Sequence, residues 1–170
     1  YLKENYLEVE EAISFIHRPL SISHKGDVIK MESMAADTAS MRMMDIRILE
    51  GTSQFLTQKN EIAITREGAF RLFGTDKVIG KTITTHQDKK EYRIGAIVSG
   101  WGKHSTLPYE LVSGVSVPPL WNTDFFRTLI KVKEGTDVKA LEEKMSQHFP
   151  KEMKDFYSRA SRFWLTPLTD

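Results

Sequence analysis

The chain has 170 residues, carries 24 basic against 23 acidic side chains for a formal net charge of +1, and contains no cysteine. That length supports a buried core without metals or disulfides. The balanced charge offers no overall field to recruit nucleic acid or an anionic membrane, and the missing thiols exclude a disulfide framework and thiolate catalysis.

No apolar run approaches the ~18 residues of a membrane-spanning helix. The opening YLKENYLEVEEA lacks an initiator Met and the basic–apolar–small layout of a signal peptide. With both ends abrupt, the sequence reads as a fragment of a longer chain.

In chain order, Leu2, Tyr6, Val9, Ile13 and Ile16 recur at helical spacings, while Ile13 and Phe15 suit a strand. This predicts a short helix running into a strand. His24-Lys25-Gly26-Asp27 punctuates a hairpin between Leu20–Ile22 and Val28–Met31. Asp37 is placed to cap a brief helix through Met44, and Ile46 to Gly51 reads as a short strand and turn.

Thr65 can cap a helix carrying Ala69, Phe70, Leu72 and Phe73 that ends on Gly74 in the left-handed conformation. Thr82–Thr85 and Tyr92–Val98 form a second hairpin, followed by a loop over Ser99–Pro108 and a weak strand over Gly114–Val117. Phe125–Val132 reads as a strand, Thr136 or Asp137 as the cap of a helix stopped by Pro150, and Phe163–Leu168 as a last strand. The order predicts an α+β fold whose split sheet is formed by both chain ends. Residues 1–51 and 120–170 make one lobe, and 52–119 a smaller, mostly β insertion.

The segment from Gly74 to Thr82, GTDKVIGKT, invites comparison with the phosphate loop GxxxxGK[ST], but the first Gly is one residue too early. A phosphate loop also follows a strand and opens a helix, whereas this segment follows a helix and leads into β-rich sequence. It is read as a backbone device. The histidines at 17, 24, 86, 104 and 148 have no metal-ligand spacing. Ser105 beside His104 lacks a nucleophile elbow, and Glu10-Glu11 and Glu142-Glu143 fall on polar faces. No catalytic, cofactor or metal residue is nominated, and the chain is read as a non-enzyme. A hydrolase or metal enzyme would require these groups to converge in the fold.

Two features could mean partner contact. The first is the loop of Trp101, Lys103 and His104, where a Trp flanked by Gly100 and Gly102 sits on a pliable mount and is of a type enriched at hot spots. The second is the methionine cluster. Trp101 could equally fold back and cap the sheet. Met31, Met34, Met41, Met43 and Met44 are adaptable core filling or a pliable surface.

The ordered set Ile46–Gly51, Glu61–Thr65, Ala69 with Leu72-Phe73-Gly74, Ile79–Thr82 and Tyr92–Val98 resembles the periplasmic core domain of MacB/FtsX-type ABC-transporter permeases. His104-Ser105 with Pro108, Thr128–Val132, Gly135, Leu141 and Pro167-Leu168 continue the likeness. The resemblance implies a porter-like lobe from both chain ends, held between two membrane helices on the periplasmic side of the inner membrane. It implies no cofactor in this domain, with ATP confined to a separate ATPase subunit, and a periplasmic adaptor or cargo as partner. The domain would couple ATP-driven motion of the membrane helices to that partner. The alternative is a sensor or scaffold domain of the same architecture that binds without transport.

Overall fold

The computed structural model describes residues 2–101, 105, 107–115, 126–148 and 164–168. Helix α1 (Leu2–Asn5) is a single turn, and strand β1 (Val9–His24) then runs unbroken for 16 residues. The helical spacing of Val9, Ile13 and Ile16 gives way because these β-branched residues find ladder partners in β8 (Phe126–Val132), from Val9↔Val132 to Ile16↔Phe126. Past Ile16, β1 turns through Lys25 and Gly26, both at positive φ, into β2 (Asp27–Ala36). This is the hairpin expected from the sequence, extended at both ends.

Asp37 caps α2 (Thr38–Met43), its carboxylate accepting from the Ser40 amide at 2.7 Å. Strand β3 (Ile48–Gly51) and a 3-10 turn (Ser53–Leu56) lead into β4 (Glu61–Thr65), buried at every residue. Thr65 caps α3 (Arg66–Phe73), accepting from Gly68, and Gly74 ends the helix at φ +71°. Space around Gly74 is open, so only backbone strain opposes a larger residue. Gly74→Val should therefore cost about 1 kcal/mol, read as a lower midpoint in urea.

Strands β5 (Thr82–Thr85) and β6 (Glu91–Val98) pair as expected. The weak strand lies three residues earlier than its apolar pattern predicts, as β7 (Leu111–Gly114). Leu111 and Val112 pair with β4 and β2, and Gly114 packs against the Leu56 carbonyl. Helix α4 (Val138–Gln147) is capped by Asp137. The predicted last strand is absent over residues 164–168. There the Leu165 amide is taken by the Glu142 carboxylate on α4, and Pro167 has no amide to give.

The ladders β1–β2, β2–β7, β7–β4, β4–β6, β6–β5 and β5–β1 close on themselves, so six strands form a ring. All six contribute to its interior through Ile22, Met31, Ile62, Ile83, Ile94 and Leu111, and Ala69, Leu72 and Val78 join the same cluster. A second cluster on the opposite face of β4 and β6 joins Phe15, Met34, Met41, Met44, Phe55 and Val98. The methionines at 31, 34, 41 and 44 are thus buried filling. The β1–β5 and β2–β7 ladders join residues 1–51 to residues 52–119, so strands from both stretches complete one ring.

A third, smaller cluster gathers the chain ends. Tyr6, Val9, Leu141 and Met145 are buried there, with Leu2, Ala12, Ile130, Val132 and Leu165 packed against them. The split sheet formed by both ends is this β1–β8 ladder under α4.

Candidate functional site

The phosphate-loop lookalike uses its own amides. Gly80 donates to the Ile94 carbonyl at 2.8 Å, Lys81 to Val78 at 2.9 Å and Val78 to Asp76 at 2.9 Å. The Lys81 ammonium lies over the Phe73 ring, 5.0 Å from its centroid, with the edge of His24 against the same ring at 5.3 Å. Amides committed to backbone carbonyls cannot also cradle an anion.

The remaining candidates are dispersed. His17 donates Nε2–H to the Pro108 carbonyl at 2.7 Å, His86 Nδ1 meets the Ser23 hydroxyl at 3.2 Å, and His148 Nδ1 meets the Lys144 carbonyl at 2.7 Å. Among the described residues, no three His, Asp or Glu side chains gather as a metal site. Ser105 Oγ accepts from the Leu107 amide at 3.1 Å, a local turn bond. Glu10 pairs with Lys131 at 2.9 Å and Glu11 with Arg42. Glu8 is gripped by Lys144 at 2.9 Å. Their lysines hold the Glu8 and Glu10 carboxyls below the ordinary range, first through direct hydrogen bonds.

The loop after β6 has a built base. Ser99 donates its amide to the Arg47 carbonyl at 2.8 Å and accepts the Arg47 amide on Oγ at 2.9 Å, stitching the loop to the approach of β3. Trp101 donates Nε1–H to the Met44 carbonyl at 2.9 Å and sets its half-buried ring edge-on to Tyr109, 6.0 Å between centroids. Lys103 and His104, the other two contact candidates, lie outside the described residues, as do Trp121 and Phe125. Tyr109 closes the base by donating its hydroxyl to the Ser99 carbonyl at 2.7 Å.

Burial pushes the Tyr109 phenol well above its ordinary value of 10.0, reinforced by the nearby charges of Asp45 and Glu67 and opposed by the Ser99 bond. The folded chain therefore holds this proton more tightly than the unfolded chain. The resulting stability is complete below about pH 10 and is lost as pH rises further. Tyr109→Phe should cost about 1 kcal/mol at neutral pH through the lost hydrogen bond. It should also flatten the alkaline fall in urea-unfolding free energy relative to the parent.

Sequence reasoning could not find the pairs that close these surfaces. Glu8 and Lys144 are 136 residues apart, and no periodicity links them. Arg71 and Glu110 form a two-bond ion pair between α3 and the start of β7, with Arg71 also donating to the Lys30 carbonyl.

No protein-family model and no curated protein matches the chain. Solved structures do. A domain of a permease protein from Porphyromonas gingivalis superposes with a TM-score of 0.71 at 16% identity, covering 95% of this chain and 73% of that one. The extracellular domain of the ABC-type transporter YknZ from Gram-positive bacteria gives 0.61 at 11% identity, over 89% and 78%. The periplasmic region of MacB from Actinobacillus actinomycetemcomitans gives 0.59 at 10% identity, over 95% and 73%. The chain thus has the α+β fold of these permease and ABC-transporter domains, two of which are extracellular or periplasmic regions.

Proposed function

We propose that the chain is a non-catalytic extracytoplasmic domain of an ABC-transporter permease, periplasmic and joined to membrane helices at both ends. It couples ATP-driven motion of those helices to a cargo or a periplasmic adaptor. The observation that carries this reading is the meeting of Leu2 and Leu165 on one small cluster around Leu141 and Met145. Two connections leaving the same lobe suit a domain inserted between consecutive membrane helices. In this reading the cluster of α1, α4 and the β1–β8 ladder sits next to the membrane and the ring of strands faces outwards, while ATP belongs to a separate subunit.

The test uses the host protein. These 170 residues have no cysteine, so Lys25→Cys and Lys139→Cys, both exposed, give unique handles once any cysteine elsewhere in the host protein is replaced by serine. A membrane-impermeant maleimide should label both in intact cells. Labelling only after cell lysis would overturn the extracytoplasmic placement. Spin labels on the two positions should report a distance distribution that changes when the ATPase is trapped with nucleotide. An unchanged distribution would favour a passive sensor or scaffold.

A further inference from the structure

Scattered single apolar residues on a surface need no explanation. Four of the large exposed ones here are gathered around the end lobe. Leu7 is 80% exposed, Trp164 72%, Leu168 51% and Val138 38%. Three of them are tied to α4 or its cluster, and Leu168 follows three residues after Leu165. Leu7 lies between buried Tyr6 and Glu8, which grips Lys144. Val138 opens the helix. Trp164 precedes Leu165, whose amide is held by Glu142 and whose side chain packs on the cluster. The lobe that gathers both ends of the chain thus also presents a Trp and three aliphatic side chains on separate segments.

Resting on the reading above, we propose that this lobe seats on the bilayer interface, with Trp164 as the anchoring side chain and the phospholipid headgroup–acyl boundary as its partner. Trp suits that boundary because its side chain joins a large apolar ring to a polar edge. Among the described residues the exposed charges of the lobe are mixed, with Lys3, Lys131, Lys133 and Lys139 against Glu4, Glu10, Glu134, Asp137 and Glu143. The attraction is therefore apolar and insensitive to salt, unlike adsorption to an anionic surface. Tethering by two membrane helices would supply the effective concentration that one Trp and a few aliphatics lack in solution.

The experiment tethers the 170-residue chain by a C-terminal histidine tag to vesicles of phosphatidylethanolamine and phosphatidylglycerol containing a nickel-chelating lipid. Trp101→Phe and Trp121→Phe leave Trp164 as the reporter. Its emission should shift to the blue and be quenched at least roughly twofold by brominated acyl chains, as for a ring about 5–10 Å into the boundary. The quenching should persist in high salt. Emission identical to that of the untethered chain overturns the proposal. So does a dimer in solution that Trp164→Ser dissolves, since the face then belongs to a second copy. The readings stay separable. If Lys25→Cys, in the β1–β2 turn away from this lobe, is labelled from outside the cell but Trp164 is not quenched, only the membrane seat is wrong. If it is labelled only after lysis, the permease reading itself fails.

Discussion

Phe15→Ala should destabilise the chain by about 3 kcal/mol, the lower end of the range for Phe-to-Ala changes in cores. Phe15 is fully buried on β1, where it joins the cluster of Met34, Met41, Met44 and Phe55. Deleting the ring removes its transfer energy and leaves a cavity. The unbranched methionines can partly collapse into that space, which keeps the cost from reaching the upper end. Urea unfolding checks it through a lower midpoint at unchanged slope. A loss below about 1 kcal/mol would mean that the site refills completely and Phe15 is no keystone of the cluster. Phe15→Leu, which keeps most of the volume, should recover much of the loss.

The second large effect lies at Gly51, where two penalties add. Its φ is +86°, and an added Cβ would lie 2.2 Å from the Gly95 carbonyl oxygen and 2.8 Å from the Ala96 Cα. Both obstacles are backbone of β6, so no rotamer relieves them. Left-handed strain of about 1–2 kcal/mol and overpacking of about 1–3 kcal/mol place Gly51→Ala near 3 kcal/mol. Gly26→Ala is the internal control, with φ +91° but open space around it. It should show the strain alone, and equal losses at the two positions would remove the clash from the account. Because β3 pairs with Ala96 to Val98, the damage should reach the Arg47–Ser99 stitch. Hydrogen exchange at those two amides should speed up before exchange in the ring does.

The parts of this fold legible in the sequence are those fixed by near neighbours. Thr65 and Gly74 bracket α3 through contacts within a turn, and Asp37 reaches Ser40 only three residues away. The β1–β2 and β5–β6 hairpins declare themselves by their turn residues. The full length of β1 was hidden because its first half is held by β8, more than a hundred residues later. The position of β7 was hidden because a parallel ladder with β2 leaves no mark at its own location. Closure of the ring depends on two residue pairs between β1 and β5, which no local pattern encodes.

The candidate contact loop shows the same limit. Gly100 and Gly102 permit either orientation of Trp101, and the carbonyl of Met44, 57 residues away, holds its indole against Tyr109. At Phe163–Leu168, the apolar run Phe163-Trp164-Leu165 imitates a strand, and a carboxylate on α4 takes the amide that a ladder would need.

The register of β1 with β8 has a mechanical consequence. Val9 faces Val132 at one end of that ladder and Ile16 faces Phe126 at the other. A load drawing Leu2 away from the α4 lobe enters at the Val9 end, so the rungs peel singly rather than shearing together. Beyond Ile16 the same strand is clamped by β2, and that stretch stays unloaded until the peeling front arrives. The domain therefore has a compliant end and a stiff end along one continuous strand.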